Sequence, residues 1–139
     1  MEWMFLPYKR YADFEGRSRR MEYWMFTLFY WIVLVVGLFA FFAASGPSYD
    51  AAGEGSSGVG IVIVGLLMLV FVLGSFIPGL AVQVRRLHDQ NISGWLVLIN
   101  FIPYLGALVM LVLMCIKGTN GPNDYGPDPL ERSQADVFA

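Results

Sequence analysis

Hydrophobic and polar positions alternate along this chain in long blocks, not with the short periods of a soluble domain. Three runs contain no charged residue and are almost entirely apolar, namely residues 24–44, 59–84 and 95–116. Each run is long enough to cross the hydrocarbon core of a bilayer, which requires about 20 apolar residues in a helix. The pattern therefore predicts an all-α membrane protein, a small polytopic helical bundle with three transmembrane helices.

The third run is ambiguous because Asn100, Pro103 and Gly106 lie near its middle. A straight helix over the whole run would be about 33 Å long, whereas each half alone would be too short to cross. We therefore expect a single span that is kinked at Pro103. The alternative is a helical hairpin, which gives four membrane helices and returns the C-terminal tail to the N-terminal side. In that case Asp124 and Asp128 can contact the arginines between the second and third runs.

The same blocks divide the chain into three parts. Residues 1–23 mix aromatic and basic side chains and are expected to lie in the headgroup region. Residues 24–116 form the transmembrane domain, in which Pro78 is expected to bend the second helix. Residues 117–139 are rich in glycine and proline near their start and predict a turn-rich tail. We expect the glycine-rich loop 45–58 to be flexible and residues 133–139 to be disordered.

A cleaved signal peptide is the competing explanation of the first run. Its apolar core would contain about 7–15 residues after a short basic start, whereas 23 residues precede this run. Ala43 and Ser45 form only a weak small-residue cleavage pattern. We therefore expect the first run to be retained as a membrane helix.

Composition supports a membrane location and excludes several classes of protein. Apolar residues make up 57% of the chain and charged residues 14%, against about 25% charged in ordinary soluble domains. The mean hydropathy is +0.58. The 139 residues leave no room for a separate soluble catalytic domain. A net charge of −2 argues against a nucleic-acid-binding protein.

The cationic residues are concentrated on one predicted side of the membrane. Five of the nine precede the first run, two lie between the second and third runs, and the loop 45–58 has none. Because Lys and Arg in short loops stay on the cytoplasmic side, we expect a cytoplasmic N-terminus. The seven residues of these two groups are Lys9, Arg10, Arg17, Arg19, Arg20, Arg85 and Arg86.

Three polar motifs border the hydrophobic runs. They are Gly-Arg-Ser-Arg-Arg-Met-Glu-Tyr-Trp at 16–24, Arg-Arg-Leu-His-Asp at 85–89 with Ser-Gly-Trp at 93–95, and Gly-Pro-Asp-Pro at 126–129. In this order they resemble the domain-of-unknown-function 805 (DUF805) family of bacterial inner-membrane proteins. The resemblance covers residues 10–129 and implies a multi-pass protein of the bacterial inner membrane, without an established activity. Asn91 and Ile92 depart from the family pattern, which often has a glycine and a basic residue there.

The charged residues of the first two motifs are the candidate site. They can form an ion-pair network that fixes the first two helices together, or they can bind anionic lipid headgroups through free cations. Expected partners are membrane lipids and a membrane-protein partner or a second copy of the chain. The candidate residues are Arg17, Arg19, Arg20, Glu22, Arg85, Arg86, His88 and Asp89.

These residues favour a binding or scaffold protein over two other classes. A small oligomeric transporter or channel subunit is the alternative, with Asn100 lining a break in the third run. A membrane-embedded enzyme using His88 and Asp89 is the third hypothesis, and no enzyme class is warranted. We predict no metal site and no cofactor, because the chain has one histidine and one cysteine, Cys115, which lies in an apolar run.

Overall fold

The fold is built from helices. The computed structural model describes residues 2–46 and 58–129, and every regular element in these two ranges is helical, as the sequence predicts. Most of the predicted flexible loop and all of residues 133–139 lie outside the described residues. The elements are α1 (Glu2–Lys9), α2 (Arg20–Ala44), α3 (Val59–Asp89), a 3-10 helix (Gly94–Phe101) and α4 (Leu105–Cys115).

Two of these helices, α2 and α3, are long and apolar enough to cross a membrane. They contain the first two predicted runs, and much of their apolar surface is exposed, with Phe39 72% accessible. Pro78 lies inside α3, which continues through it. This helix also extends beyond the second run to Asp89. Arg85 and Arg86 therefore belong to its last turns and not to a loop.

The contacts divide the chain into two compact units, residues 28–76 and residues 1–27 with 77–139. In the unit of residues 28–76, the rings of Tyr30 and Phe71 stack with their centroids 5.6 Å apart. Gly37 approaches Met68 so closely that a Cβ atom at this glycine would lie 1.7 Å from the methionine sulfur. A small residue is required here because it lets the two helices approach each other.

The third predicted run is not one continuous helix. Pro103, which has no N–H group to donate, lies in the break between the 3-10 helix and α4. Tyr104 follows with φ 62° and ψ −55°, at the centre of a γ-turn in which the N–H of Leu105 donates to the carbonyl oxygen of Pro103 at 2.6 Å. A Cβ atom at Gly106 would lie 1.9 Å from the carbonyl oxygen of Ile99, so the two arms pack closely. This arrangement corresponds to the predicted hairpin alternative, and the three-span count is not confirmed.

A small apolar core holds this hairpin against the end of α3. Leu87, Met110 and Met114 are buried together, and Tyr23 at the start of α2 packs against them. Side chains of the 3-10 helix complete the cluster. The core places the first turn of α2, the last turns of α3 and the end of α4 side by side, and charged residues of α2 and α3 meet there.

Candidate functional site

A layer of buried charged side chains joins the start of α2 to the end of α3. Charged residues are almost never fully buried unless they are paired. Each of the following is at most 7% exposed: Arg17, Ser18, Glu22, Arg85, Arg86 and Asp89. The layer contains two separate ion-pair groups.

The first group, which we call the arginine–aspartate centre, consists of Arg17, Arg86 and Asp89. The Oδ1 atom of Asp89 accepts a hydrogen bond from Nε of Arg17 at 2.9 Å and lies equally close to its Nη2. The Oδ2 atom accepts a hydrogen bond from Nη1 of Arg86. Nη2 of Arg86 donates to the carbonyl oxygen of Ile116, just after α4. One carboxylate therefore joins the N-terminal segment to α3, and Arg86 extends the network to the hairpin.

The second group, the buried pair, consists of Arg85 and Glu22. Nη2 of Arg85 lies 3.0 Å from Oε1 of Glu22, and the hydroxyl of Ser18 donates to Oε2 at 2.9 Å. Among the described residues, no nitrogen of the Arg85 guanidinium has a hydrogen-bond partner. The pair therefore fixes α3 to the first turn of α2 mainly through charge attraction.

The C-terminal segment of residues 118–129, called the tail below, is bound to Arg17. Nη2 of this arginine donates to the carbonyl oxygen of Thr119 at 2.6 Å. Nη1 donates to the carbonyl oxygens of Gly121 at 2.6 Å and Gly126 at 3.3 Å. Both glycines have positive φ values, 73° and 131°, which favour glycine. The tail therefore folds back on itself so that one guanidinium reaches carbonyls from both of its limbs.

The end of α3 provides a second attachment for the tail. The N–H of Thr119 donates to the carbonyl oxygen of Asp89 at 2.8 Å, and the side-chain amide of Asn123 donates to that of His88 at 2.9 Å. A Cβ atom at Gly118 would lie 1.9 Å from Oδ2 of Asp89. The tail thus docks directly on the arginine–aspartate centre. The tail binds Arg17 through backbone carbonyls. The predicted contact of Asp124 or Asp128 with Arg85 or Arg86 stays a prediction.

His88 takes part in this docking through its ring. The imidazole stacks on Tyr125 with the centroids 3.9 Å apart and the planes 4° from parallel. Its Nδ1 lies 3.3 Å from the carbonyl oxygen of Gly16. His88 and Asp89 thus engage different partners, although they are neighbours in sequence.

A cavity of about 200 Å³ opens beside the arginine–aspartate centre. Arg19 and Arg20, at the start of α2, and Lys117, just after α4, place three cations around it. Asp89 and Asp128 contribute carboxylates to the same wall. The Asp89 carboxylate is already bound by two arginines, as described above. We call this space the interfacial cavity, because its cations border the apolar parts of α2 and α4.

The structure therefore separates the eight predicted site residues. Six of them are in or beside the buried layer, whereas Arg19 and Arg20 border the interfacial cavity. Asn100 lies elsewhere and donates a hydrogen bond to Gln83 at 2.8 Å. Lys117 and Thr119 were not among the predicted site residues. Their position directly after an apolar run is a weak signal, because it does not show that the chain returns to Arg17.

The described residues contain no group of three or more side chains suited to hold a metal ion. They do contain a polar centre, a docked tail and a cationic cavity. A sequence profile described as protein of unknown function (DUF805) matches residues 11–127. The chain belongs to the DUF805 family. The resemblance predicted from its three motifs is confirmed.

Two DUF805 relatives from Escherichia coli (strain K12) are named inner membrane proteins. YhaI is 40% identical over 133 residues, covering 93% of this chain and 96% of the relative. YhaH is 40% identical over 130 residues, covering 93% of this chain and 97% of the relative. No solved structure matches the chain. The arginine–aspartate centre and most of the tail lie inside the matched DUF805 region.

Proposed function

We propose that this DUF805 protein resides in the bacterial inner membrane with two spans, α2 and α3. Its relatives are named inner membrane proteins, and both helices are long enough to cross. The N–H of Ser18 donates to the carbonyl oxygen of Arg85 at 3.2 Å, so α2 begins where α3 ends. The arginines near this junction assign it to the cytoplasmic side.

The hairpin enters and leaves the membrane on this same side. Eight residues of 3-10 helix and eleven of α-helix each extend about 16 Å, whereas the hydrocarbon core is about 30 Å thick. Neither arm is long enough to cross. The tail that follows is bound to Arg17, which precedes α2. Both the N-terminal segment and the tail are therefore cytoplasmic.

Cysteine labelling tests this topology in a Cys115→Ser background. Asn120→Cys places a thiol on the exposed part of the tail, and Ser45→Cys places one just after α2. A membrane-impermeant maleimide should label position 120 only in inverted vesicles and position 45 only in right-side-out vesicles. Labelling of position 120 from the periplasmic side would contradict this topology and favour the kinked third span.

We further propose that the protein acts by binding an anionic phospholipid headgroup in the interfacial cavity. One observation carries this proposal: Arg19, Arg20 and Lys117 line a cavity at the edge of the membrane-spanning region. The cavity also adjoins the positive end of the α2 dipole, which favours anions. Residues that follow α4 and residues at the start of α2 border it. A phospholipid whose phosphate is bound there can extend its acyl chains along these helices.

In this proposal, structural and headgroup-binding roles belong to different cations. Arg17, Arg85 and Arg86 are buried and engaged with carboxylates, so they are structural. Arg20 and Lys117 are exposed, and the one contact described for Arg20 is a 3.3 Å bond to the carbonyl oxygen of Cys115. These two side chains can turn toward a phosphate without breaking an ion pair.

Native mass spectrometry of protein released from its own membrane tests the proposal. The variant Arg20→Gln, Lys117→Gln removes two cations from the cavity. At about 1 kcal/mol per cation near an anionic surface, we expect roughly thirtyfold weaker retention of anionic lipid. The control Lys9→Gln, Arg10→Gln removes the same charge away from the cavity and should retain lipid like the wild type.

Two results would contradict this function. Equal lipid retention by the cavity variant and its control would show that the attraction is general and not located in the cavity. Displacement of the lipid by soluble glycerol phosphate at equal concentration would assign the cavity to a soluble phosphate ester, because acyl chains would then contribute nothing.

A further inference from the structure

We propose that Arg17 and Asp89 are positioning residues of this headgroup site, because they hold the tail in the arrangement that completes the interfacial cavity. Headgroup binding and tail docking are then coupled. The inference rests on the proposed function, since it concerns the same cavity. It assigns to the arginine–aspartate centre a role beyond packing.

The cavity is built largely by the C-terminal segment. More than half of the residues that line it come from positions 117–129, and the others come from the start of α2 and from Asp89. Lys117 immediately precedes the tail and Asn120 belongs to it, so undocking would remove the support that holds one of the three cations beside Arg19 and Arg20. A headgroup that needs all three cations can therefore bind only the docked form.

Arg17 affects the cavity indirectly, through the tail residues that it binds. It is not among the lining residues, yet its guanidinium holds the carbonyls of Thr119, Gly121 and Gly126. Asp89 fixes the orientation of that guanidinium through Nε. The carbonyl of Asp89 also accepts the N–H and the hydroxyl of Thr119. These contacts involve the residue immediately before Asn120, so they set the position of the cavity wall.

A second contact keeps the far end of the tail in place. Nε of Arg19, a cavity cation, donates to the carbonyl oxygen of Pro129 at 3.0 Å. Asp128 accepts the N–H of Gly121 at 3.1 Å, which joins the two limbs of the tail. Since a ligand that binds one state of an equilibrium stabilises that state, headgroup binding should strengthen tail docking to the same degree that docking strengthens binding.

The experiment compares two variants at residues that hold the tail but do not themselves line the cavity. Arg17→Lys keeps the positive charge but removes the planar fork that reaches Asp89 and the three carbonyls at once. Asn123→Ala removes two side-chain bonds of the tail, to His88 and to Thr119, at a partly exposed position. The second variant keeps the test valid if Arg17→Lys fails to fold.

Two quantities are measured in nanodiscs, with phosphatidylglycerol or phosphatidylcholine as the added lipid. Hydrogen–deuterium exchange of residues 118–129 reports tail docking, and lipid retention reports headgroup affinity. For Arg17→Lys we expect faster tail exchange and at least about tenfold weaker phosphatidylglycerol retention, within the usual range of coupling between sites. Asn123→Ala should change both quantities in the same direction and by less. Phosphatidylglycerol should slow tail exchange in the wild type.

The outcomes separate the two proposals. If Arg17→Lys or Asn123→Ala exchanges faster in the tail but retains phosphatidylglycerol like the wild type, the coupling is refuted while the headgroup site stands. Unchanged tail exchange in both variants would also refute the positioning role. If Arg20→Gln, Lys117→Gln retains lipid like its control, the headgroup site itself is refuted, whatever the tail does.

Discussion

Replacing Asp89 by asparagine tests whether the arginine–aspartate centre stabilises the fold. The carboxylate accepts hydrogen bonds from Arg17 on one oxygen and from Arg86 on the other, and the residue is 7% exposed. An amide keeps one acceptor but presents an NH2 group to the other guanidinium, so donor faces donor. Two buried cations also lose their common counter-charge.

The expected cost is large. Breaking a buried ion pair by removing one partner costs about 3–5 kcal/mol, because a charge is left buried without compensation. For a chain of this length that corresponds to a decrease of roughly 10 °C in melting temperature, using about 2–4 °C per kcal/mol. Thermal unfolding of purified protein in one detergent, followed by circular dichroism, measures the difference directly.

The chain provides a matched control for this change. Asp13 pairs with Arg10 three residues away, as Asp89 pairs with Arg86 three residues away, but the side chains of the first pair are 39% and 35% exposed. Exposed pairs contribute about 0–1 kcal/mol, so Asp13→Asn should lower the melting temperature by no more than a few degrees. Equal melting temperatures for the two variants would refute the claim that the centre holds the structure together.

A further prediction concerns a single residue in the hairpin. Gly106→Ala forces a Cβ against Ile99 and should cost about 1–3 kcal/mol in thermal unfolding, whereas Gly74→Ala, with open space around its Cβ, should not destabilise.

The long helices were predictable because the features that determine them lie within the segments themselves. The first two apolar runs fall inside α2 and α3, and length plus hydrophobicity decides such segments. The end of α3 was harder to predict. Arg85 and Arg86 interrupt the apolar pattern, and such an interruption predicts a loop. Their buried carboxylate partners nevertheless let the helix continue to Asp89.

The third run and the tail depended on contacts that sequence spacing does not reveal. Hydrophobicity does not distinguish a kinked span from a hairpin. The difference was made by the γ-turn at Tyr104 and by the close packing of Gly106 against Ile99. Turn-rich composition predicted the irregular tail. It did not predict that Arg17 would bind the tail through backbone carbonyls, because carbonyls are present at every residue and leave no side-chain signal.

The distance in sequence between Arg17 and its partners has a consequence for biosynthesis. The carbonyls that it binds lie 102 to 109 residues further along the chain. During translation, both long helices can enter the membrane while this guanidinium still lacks those acceptors. A product that stops before residue 118 would keep its hydrophobic segments yet leave Arg17 without these three acceptors. Proteases that survey the membrane could therefore distinguish finished from truncated chains at a single arginine.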